Sequence, residues 1–299
     1  MSNITLTWDA DGSIKSFSVY RAEQSLDLNN LPTPIATGIK DKTYIDNNVV
    51  DDKTYFYLVA SLKDVQQKLS DEVECIASIS DPNFNSVLTL LHFNESLVSS
   101  TKENLAFELK GSAMLSTAVA KFGKSSLYTQ SGTVNYAIST ITSNLNFKAN
   151  DALTVEFFFK KIDTSGNASM LQIRDVGSEN RISFFARDTN APKFAVFSSK
   201  TGTFLDASAK TTVTVGEDSD WHHYAYTQDG TTARLFIDGS LVASSTSQLT
   251  GFTNSRLYIG QNSLDAESYN GYIDELRITK GVARYTNDFT VPSAQFPNH

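Results

Sequence analysis

The chain has 299 residues, 40% of them hydrophobic, and its 19 phenylalanines, 12 tyrosines and only 6 prolines favour strands over long helices, because aromatic side chains suit a pleated, half-buried surface. Its net charge is −8, with 7 basic and 12 acidic residues in positions 1–80 and 18 and 21 in the rest, so no basic cluster is present to replace counterions on nucleic-acid phosphates or to hold an anionic membrane. Cys75 is the sole cysteine, which excludes an internal disulfide, and no run approaches the roughly 18 apolar residues of a membrane helix.

The opening MSNITLTWDAD has neither a charged leader nor an apolar core, so synthesis and initial solubility in a cytoplasm are expected. ITLTW (4 to 8) and SFSVYRA (16 to 22) alternate apolar and polar residues, and TYFYLVASL (54 to 62) is a longer aromatic run behind the turn-forming Asp51-Asp52-Lys53. Cys75 falls in the alternating EVECIASIS, where it reads as a small buried hydrophobe with no activating base nearby in sequence. SISDPNFNS (78 to 86), with Pro82 and small polar residues, is the natural boundary. The organisation expected is a domain over 1–80, a linker over 81–86 and a larger domain over 87–299.

That larger domain opens with VLTLLHFN (87 to 94). It continues through KFGKSSLYTQSG (121 to 132), LTVEFFFKK (153 to 161), RISFFAR (181 to 187), KFAVFSS (193 to 199), DWHHYAYTQDG (220 to 230), TARLFIDGSLVAS (232 to 244), SRLYIGQ (255 to 261) and GYIDELRIT (271 to 279). Each run has the length of a strand. Asp238-Gly239, between LFI and LVA, reads as a two-residue type I′ hairpin turn in which both residues need positive φ, and Asp229-Gly230 marks the preceding turn in the same way. Trp221, at the start of an alternating strand, is expected as a buried core anchor. His222 and His223 point to opposite faces, one ring inward near Trp221 and one outward, so they cannot share a zinc ion.

The first segment resembles a fibronectin type III domain. Trp8 matches that family's strand B tryptophan, Phe17, Val19 and Tyr20 its strand C, and Thr54, Tyr55, Tyr57 and Val59 its strand F, with Ala60 one place early. The resemblance makes Tyr55 the tyrosine-corner residue. It also implies a strand A that is missing here, since the seven residues before Trp8 are themselves the strand B pattern. The open strand B edge is then either covered by a neighbouring subunit or interdomain segment, or blunted by Asp9 and Asp11. In the larger segment, WHHYAYTQDGTTARLFIDG, LYIG and GYIDELRI, in that order, resemble a concanavalin A-like, laminin-G-like jelly roll. The tail RITKGVARYTNDFTVPSAQF resembles the variant found in bacteriophage tail and virion proteins. The fold implied is all-β, two sandwiches, the second with an extended C-terminal arm anchored by Val282, Tyr285 and Phe289.

Glucanases of that superfamily work with carboxylates about 5 to 5.5 Å apart. Here Asp71, Glu72 and Glu74 lie in the other domain, Glu217, Asp218 and Asp220 in a polar loop, and Asp274 and Glu275, being adjacent, on opposite faces of a strand. No G-x-S-x-G elbow or phosphate loop is present, and no enzyme is expected. The resemblance implies a calcium ion near the first and last strands, with Asn94 and Asp274 at the matching positions. Asparagine where relatives often carry aspartate removes a charge, and the alternative for Asp274 is to accept hydrogen bonds from turn amides. No other cofactor is expected. Carbohydrate binding would use loop groups, with Asn262, Tyr269 and Asn270 as the candidates. The function expected is a non-enzymatic bacteriophage virion structural protein of tail, baseplate, fibre or capsid, assembled in the host cytoplasm. Its partners would be other virion proteins, further copies of itself and cell-surface glycans, with neither nucleic acid nor membrane. The alternative is a carbohydrate-binding receptor or adhesin module, with a glycoside hydrolase behind both.

Overall fold

The computed structural model describes residues 3–299 apart from 51–52, 64–65, 78–79, 102, 133, 143–144, 149, 164–167, 187–193, 200–201, 208–219, 247–250 and 263–266. The chain divides into two compact units, Met1–Asp81 with His299, and Pro82–Asn298. The 81–86 segment is split between them: Phe84–Ser86 forms a 3-10 turn and Phe84 packs into a cluster of the second unit.

In the first unit, β1 (Ile4–Thr7) pairs with β4 (Thr43–Asp46) as a two-stranded antiparallel sheet. A second sheet runs β3 (Ala36–Ile39), β2 (Ser16–Ala22), β5 (Thr54–Lys63), with β6 (Gln66–Leu69) and β7 (Val73–Ile76) both on β5. Ile4, Leu6, Val19, Tyr55 and Tyr57 form the core, with Cys75 half-buried beside it. Two buried polar links fix it. The Tyr55 hydroxyl accepts the Val50 amide at 3.0 Å, and the buried Asp46 carboxylate accepts Tyr57 Oη at 2.9 Å and Arg21 Nη1 at 2.8 Å. The Trp8 amide donates to the Lys42 carbonyl, so even-numbered residues of β1 turn their backbone toward β4. Thr5 and Thr7 therefore turn theirs to an edge that pairs with no described strand. Past the end of β1 a cleft of about 460 Å³ is bordered by Trp8, Asp9, Asp11, Phe17, Lys68 and Asp71.

The second unit is a sandwich of two antiparallel sheets. One holds β10 (Met114–Ser116), β11 (Ser126–Thr129), β22 (Gly271–Lys280), β13 (Leu153–Lys161), β18 (His222–Gln228), β19 (Ala233–Ile237) and β20 (Ser240–Ser245), with β8 (Val87–Leu91) also on β22. The other runs β17 (Gly202–Asp206), β16 (Phe194–Ser198), β15 (Arg181–Ala186), β14 (Ala168–Asp175), β21 (Ser255–Ile259), β12 (Tyr136–Ser139) and β9 (Phe107–Lys110). Between them lies a large apolar core in which Phe157 stacks on Tyr224 at 5.1 Å. The buried Tyr224 hydroxyl donates across the sandwich to the Ala195 carbonyl at 3.1 Å, so the ring costs no unsatisfied polar atom.

LTVEFFFKK lacks alternation because β13 is buried on both faces. Leu153, Val155, Phe157 and Phe159 face the core, while Phe158 joins Val87, Leu90 and Phe296 on the outward side, under the C-terminal arm. The arm is fastened along its length. Thr154 Oγ1 donates to Val282 O, Thr227 Oγ1 to Tyr285 O, and the Phe289 amide to Gly239 O, while Tyr285 stacks on Phe289 at 3.6 Å. Asp238 (φ 49°) and Gly239 (φ 77°) form the expected hairpin turn, and a Cβ at 239 would lie 2.1 Å from the Phe289 carbonyl oxygen. The Asp229 turn differs from expectation: residues 229–232 connect β18 to β19 and, of its Asp-Gly pair, only Gly230 has positive φ. The Asp229 carboxylate accepts the Thr231 and Thr232 amides and pairs with Arg234, which makes this an Asx turn. Trp221 is also corrected. It lies just before β18 and packs, partly buried, against the outer cluster rather than between the sheets.

Candidate functional site

Three carboxylates are buried on the outward face of the larger sheet. Glu156 faces Arg277 across β13 and β22, and Arg277 grips it through Nε and Nη2, both at 2.9 Å. Tyr285 Oη donates to its other oxygen at 2.8 Å, and His223 Nε2 stands 3.4 Å away. Burial alone would raise the Glu156 pKa, but Arg277, His223 and Arg284 outweigh it and hold the carboxyl at about 2. The expectation that Asp274 and Glu275 occupy opposite faces fails. Glu275 has φ 49° and the β13–β22 register slips between Glu156 and Phe158, a β-bulge that puts both side chains outward. Glu275 accepts from Phe296 N and Gln295 Nε2 and meets His92 Nδ1 at 2.9 Å. Asp274 is fully buried, and burial followed by the Glu275 charge raises its carboxyl to about 7 despite three backbone amides. Arg277, Tyr285 and Phe296 cover this acidic set, and Glu156 and Glu275 hold the arm down.

Asn94 and Asp274 do not make a calcium site. Asn94 Oδ1 accepts the Lys124 amide at 2.7 Å, Asp274 Oδ2 the Lys121 and Phe122 amides, and Asp274 Oδ1 the Glu275 amide. Oxygens already facing N–H groups present the wrong charge neighbours to a hard cation. Among the described residues no cluster of three His, Cys, Asp or Glu has metal-binding spacing. His222 and His223 do fall on opposite faces: His222, partly exposed, lies against Phe159 and bonds Asp238 at 2.7 Å, and His223 is fully buried against Phe158 and Phe289.

The loop candidates are also structural. Tyr269 is fully buried in the core and offers no face to a ligand. Asn262 is buried and donates to Glu267 at 2.7 Å, while half-buried Asn270 donates to Asp163. LYIG and the residues before β22 are fixed by packing: the Tyr269 amide donates to Gly260 O, and Thr129 Oγ1 to Tyr269 O.

What the sequence reading missed is the outward face of the seven-stranded sheet. Ala137, Leu257, Ile259, Ile173, Ile182, Phe184 and Val196 point into the core, so their neighbours in sequence point out. Strand by strand, Glu108, Ile138, Tyr258, Gln172, Ser183 and Phe197 stand directly opposite one another across β9, β12, β21, β14, β15 and β16. Tyr258 is half-buried, with the ring of Tyr136 at 5.8 Å, tilted by 51°. Gln172 Nε2 donates to Ser183 Oγ at 2.7 Å, and the fully buried Ser169 hydroxyl, opposite Phe185, has no partner. Arg256 lies two residues from Tyr258 on the same face. Gln172, Ser183 and Ser169 are buried, so what the face presents is the half-exposed Tyr136 and Tyr258 rings beside a guanidinium, which suits a polar ligand with one apolar face. The signal was present in SRLYIG, MLQIRD and VNYAIS, where polar or aromatic residues alternate with core residues.

A family model described as the concanavalin A-like lectin/glucanases superfamily matches residues 131–284. Domain 4 of AbnA, an extracellular arabinanase from Geobacillus stearothermophilus solved in complex with arabinotriose, has a TM-score of 0.52 at 17% identity, over 66% of this chain and 93% of that one. The binding domain of botulinum neurotoxin DC in complex with SialylT has a TM-score of 0.43 at 14% identity over 72% of this chain, and the match spans 50% of the toxin domain's own length. The binding domain of Paraclostridial Mosquitocidal Protein 1 has 0.45 at 14%, over 69% and 50%. No curated protein matches the chain.

Proposed function

The chain belongs to the concanavalin A-like lectin/glucanases superfamily, and from that premise we propose that it is a non-catalytic saccharide-binding protein whose ligand lies on the outward face of the seven-stranded sheet. The half-exposed rings of Tyr136 and Tyr258, 5.8 Å apart, with Arg256 two residues along β21 on the same face, carry this reading. Tyr258 and Tyr136 supply the apolar stacking surface and Arg256 the charged contact, while Gln172 and Ser183, buried and bonded to each other, form the floor beneath. The arabinanase domain with this fold was solved with arabinotriose, which supports a saccharide as the ligand class. The buried acids Glu156 and Glu275 serve the arm and Asp274 caps the 121–122 backbone, in keeping with binding without hydrolysis. A glycan array probed with the intact protein tests the reading. Specific saccharide hits weakened at least tenfold by Tyr258→Ala are expected, and an array without hits contradicts it.

A second reading concerns the setting. The tail RITKGVARYTNDFTVPSAQF supports a bacteriophage virion protein assembled in the host cytoplasm. The first unit, fibronectin type III-like, then docks to other virion proteins or to further copies while the second faces outward. Fractionation of purified particles tests it, and absence of the chain from them sinks it.

A further inference from the structure

Arg256, Arg174 and Arg181 occupy directly opposed positions on β21, β14 and β15. Opposed residues of antiparallel neighbours share a face with Cα atoms about 4.5 to 5.5 Å apart, where like charges destabilise a sheet. One carboxylate, Glu179, offsets two of them, at 2.9 Å from Arg174 Nη2 and 3.1 Å from Arg181 Nη1. Among the described residues no bonded carboxylate offsets Arg256. Its Nε is buried without a hydrogen-bond partner. Glu108 feels its charge, but that carboxylate is bonded to Lys110 at 2.6 Å. A buried guanidinium donor with nothing to donate to costs stability, and the cost persists where a ligand recovers it.

We propose that Arg256 is the acid-recognising residue of the saccharide face and that the preferred ligand is a carboxylated saccharide, of the uronic or sialic acid type. This rests on the saccharide reading above. A guanidinium fork matches a carboxylate through two parallel N–H···O bonds, which no neutral hydroxyl reproduces. Tyr258, one face-step along β21, places a ring where the pyranose carrying that carboxylate would stack. The net charge of −8 repels polyanions at long range, so selection is by this contact and not by general attraction.

The test is isothermal titration with three matched pairs: oligogalacturonate, oligoglucuronate and sialyllactose, each against its carboxyl-reduced counterpart. Wild type, Arg256→Gln and Tyr258→Ala are compared. At least one acidic member should bind tenfold or more tighter than its reduced partner. Arg256→Gln should abolish that difference, so that acidic and reduced members bind alike, and Tyr258→Ala should weaken both members. Arg256→Gln should also melt at the same or a higher temperature, because it relieves like-charge crowding; a lower melting temperature would assign Arg256 a structural role and overturn the proposal. Equal binding of acidic and reduced forms overturns it and leaves the saccharide reading standing. Binding to none of the six, with saccharide hits on the glycan array, overturns it in the same way. Binding to none of the six and an empty array remove both.

Discussion

Replacing Glu156 with glutamine separates a buried structural acid from a catalytic one. The glutamine keeps the volume and one carbonyl acceptor but removes the negative charge, leaving Arg277 and Arg284, with side chains 6% and 9% exposed, facing a neutral amide. Breaking a buried pair from one side costs about 3 to 5 kcal/mol, because the remaining charge stays desolvated. For a unit of this size, about 1 kcal/mol shifts the melting temperature by roughly 2 to 4 °C, so its calorimetric transition should fall by about 10 °C. Replacing both partners, Glu156→Leu with Arg277→Met, should recover most of the loss, since no lone charge remains. The pH dependence follows from the sign of the shift. The Glu156 carboxyl is depressed to about 2, so its stabilisation is complete above about pH 4.5 and disappears as pH falls toward 2. The gap between wild type and Glu156→Gln should therefore close in acid. A loss under about 1 kcal/mol at pH 7, or a gap unchanged between pH 6 and pH 2.5, would refute the network. Polysaccharide hydrolysis abolished by Glu156→Gln at unchanged stability would make the residue catalytic instead.

Asp274 has the opposite sign. Its carboxyl is raised to about 7, so the stability it favours is present below about pH 4 and is lost as pH rises toward 7. Wild type should lose stability relative to Asp274→Asn between pH 5 and 8, by at most about 1.4 kcal/mol per pH unit; parallel melting curves would contradict the raised value. Gly239→Ala puts a methyl 2.1 Å from the Phe289 carbonyl oxygen at φ 77°, so protease should clip the arm near Phe289 faster than in wild type. On β1, the Thr5 and Thr7 amides of the isolated protein should exchange with solvent at least tenfold faster than that of Leu6, which faces β4. Equal protection of all three would mean that the edge is covered.

Much of the fold was legible because period-2 patterns and turn chemistry act locally. The hairpin at Asp238-Gly239 and the arm anchors Tyr285 and Phe289 were readable from residue type and spacing, and the Tyr55 hydroxyl tie from the fibronectin type III resemblance. The errors arose where the chain departs from simple alternation. The bulge at Glu275 moved a carboxylate to the other face, and no sequence pattern announced a positive φ at a glutamate. Tyr269 and Asn262 lie in a connection rich in polar residues, yet their packing against β21 and β11 buries them. The proposed binding face was hidden for a different reason. Its residues come from strands far apart in sequence, and only the register across β9, β12, β21 and β14 shows that Tyr136, Tyr258 and Arg256 share one surface.

Hydroxyl-radical footprinting of the intact protein, with and without a saccharide that hits on the array, tests the central claim most directly. Tyr136 and Tyr258 should lose at least half of their labelling when the ligand is bound, while Tyr20 of the first unit and Trp221 should not change. Protection confined to Trp221 or to the first unit, with Tyr258 labelled as before, would place the ligand elsewhere and contradict the account.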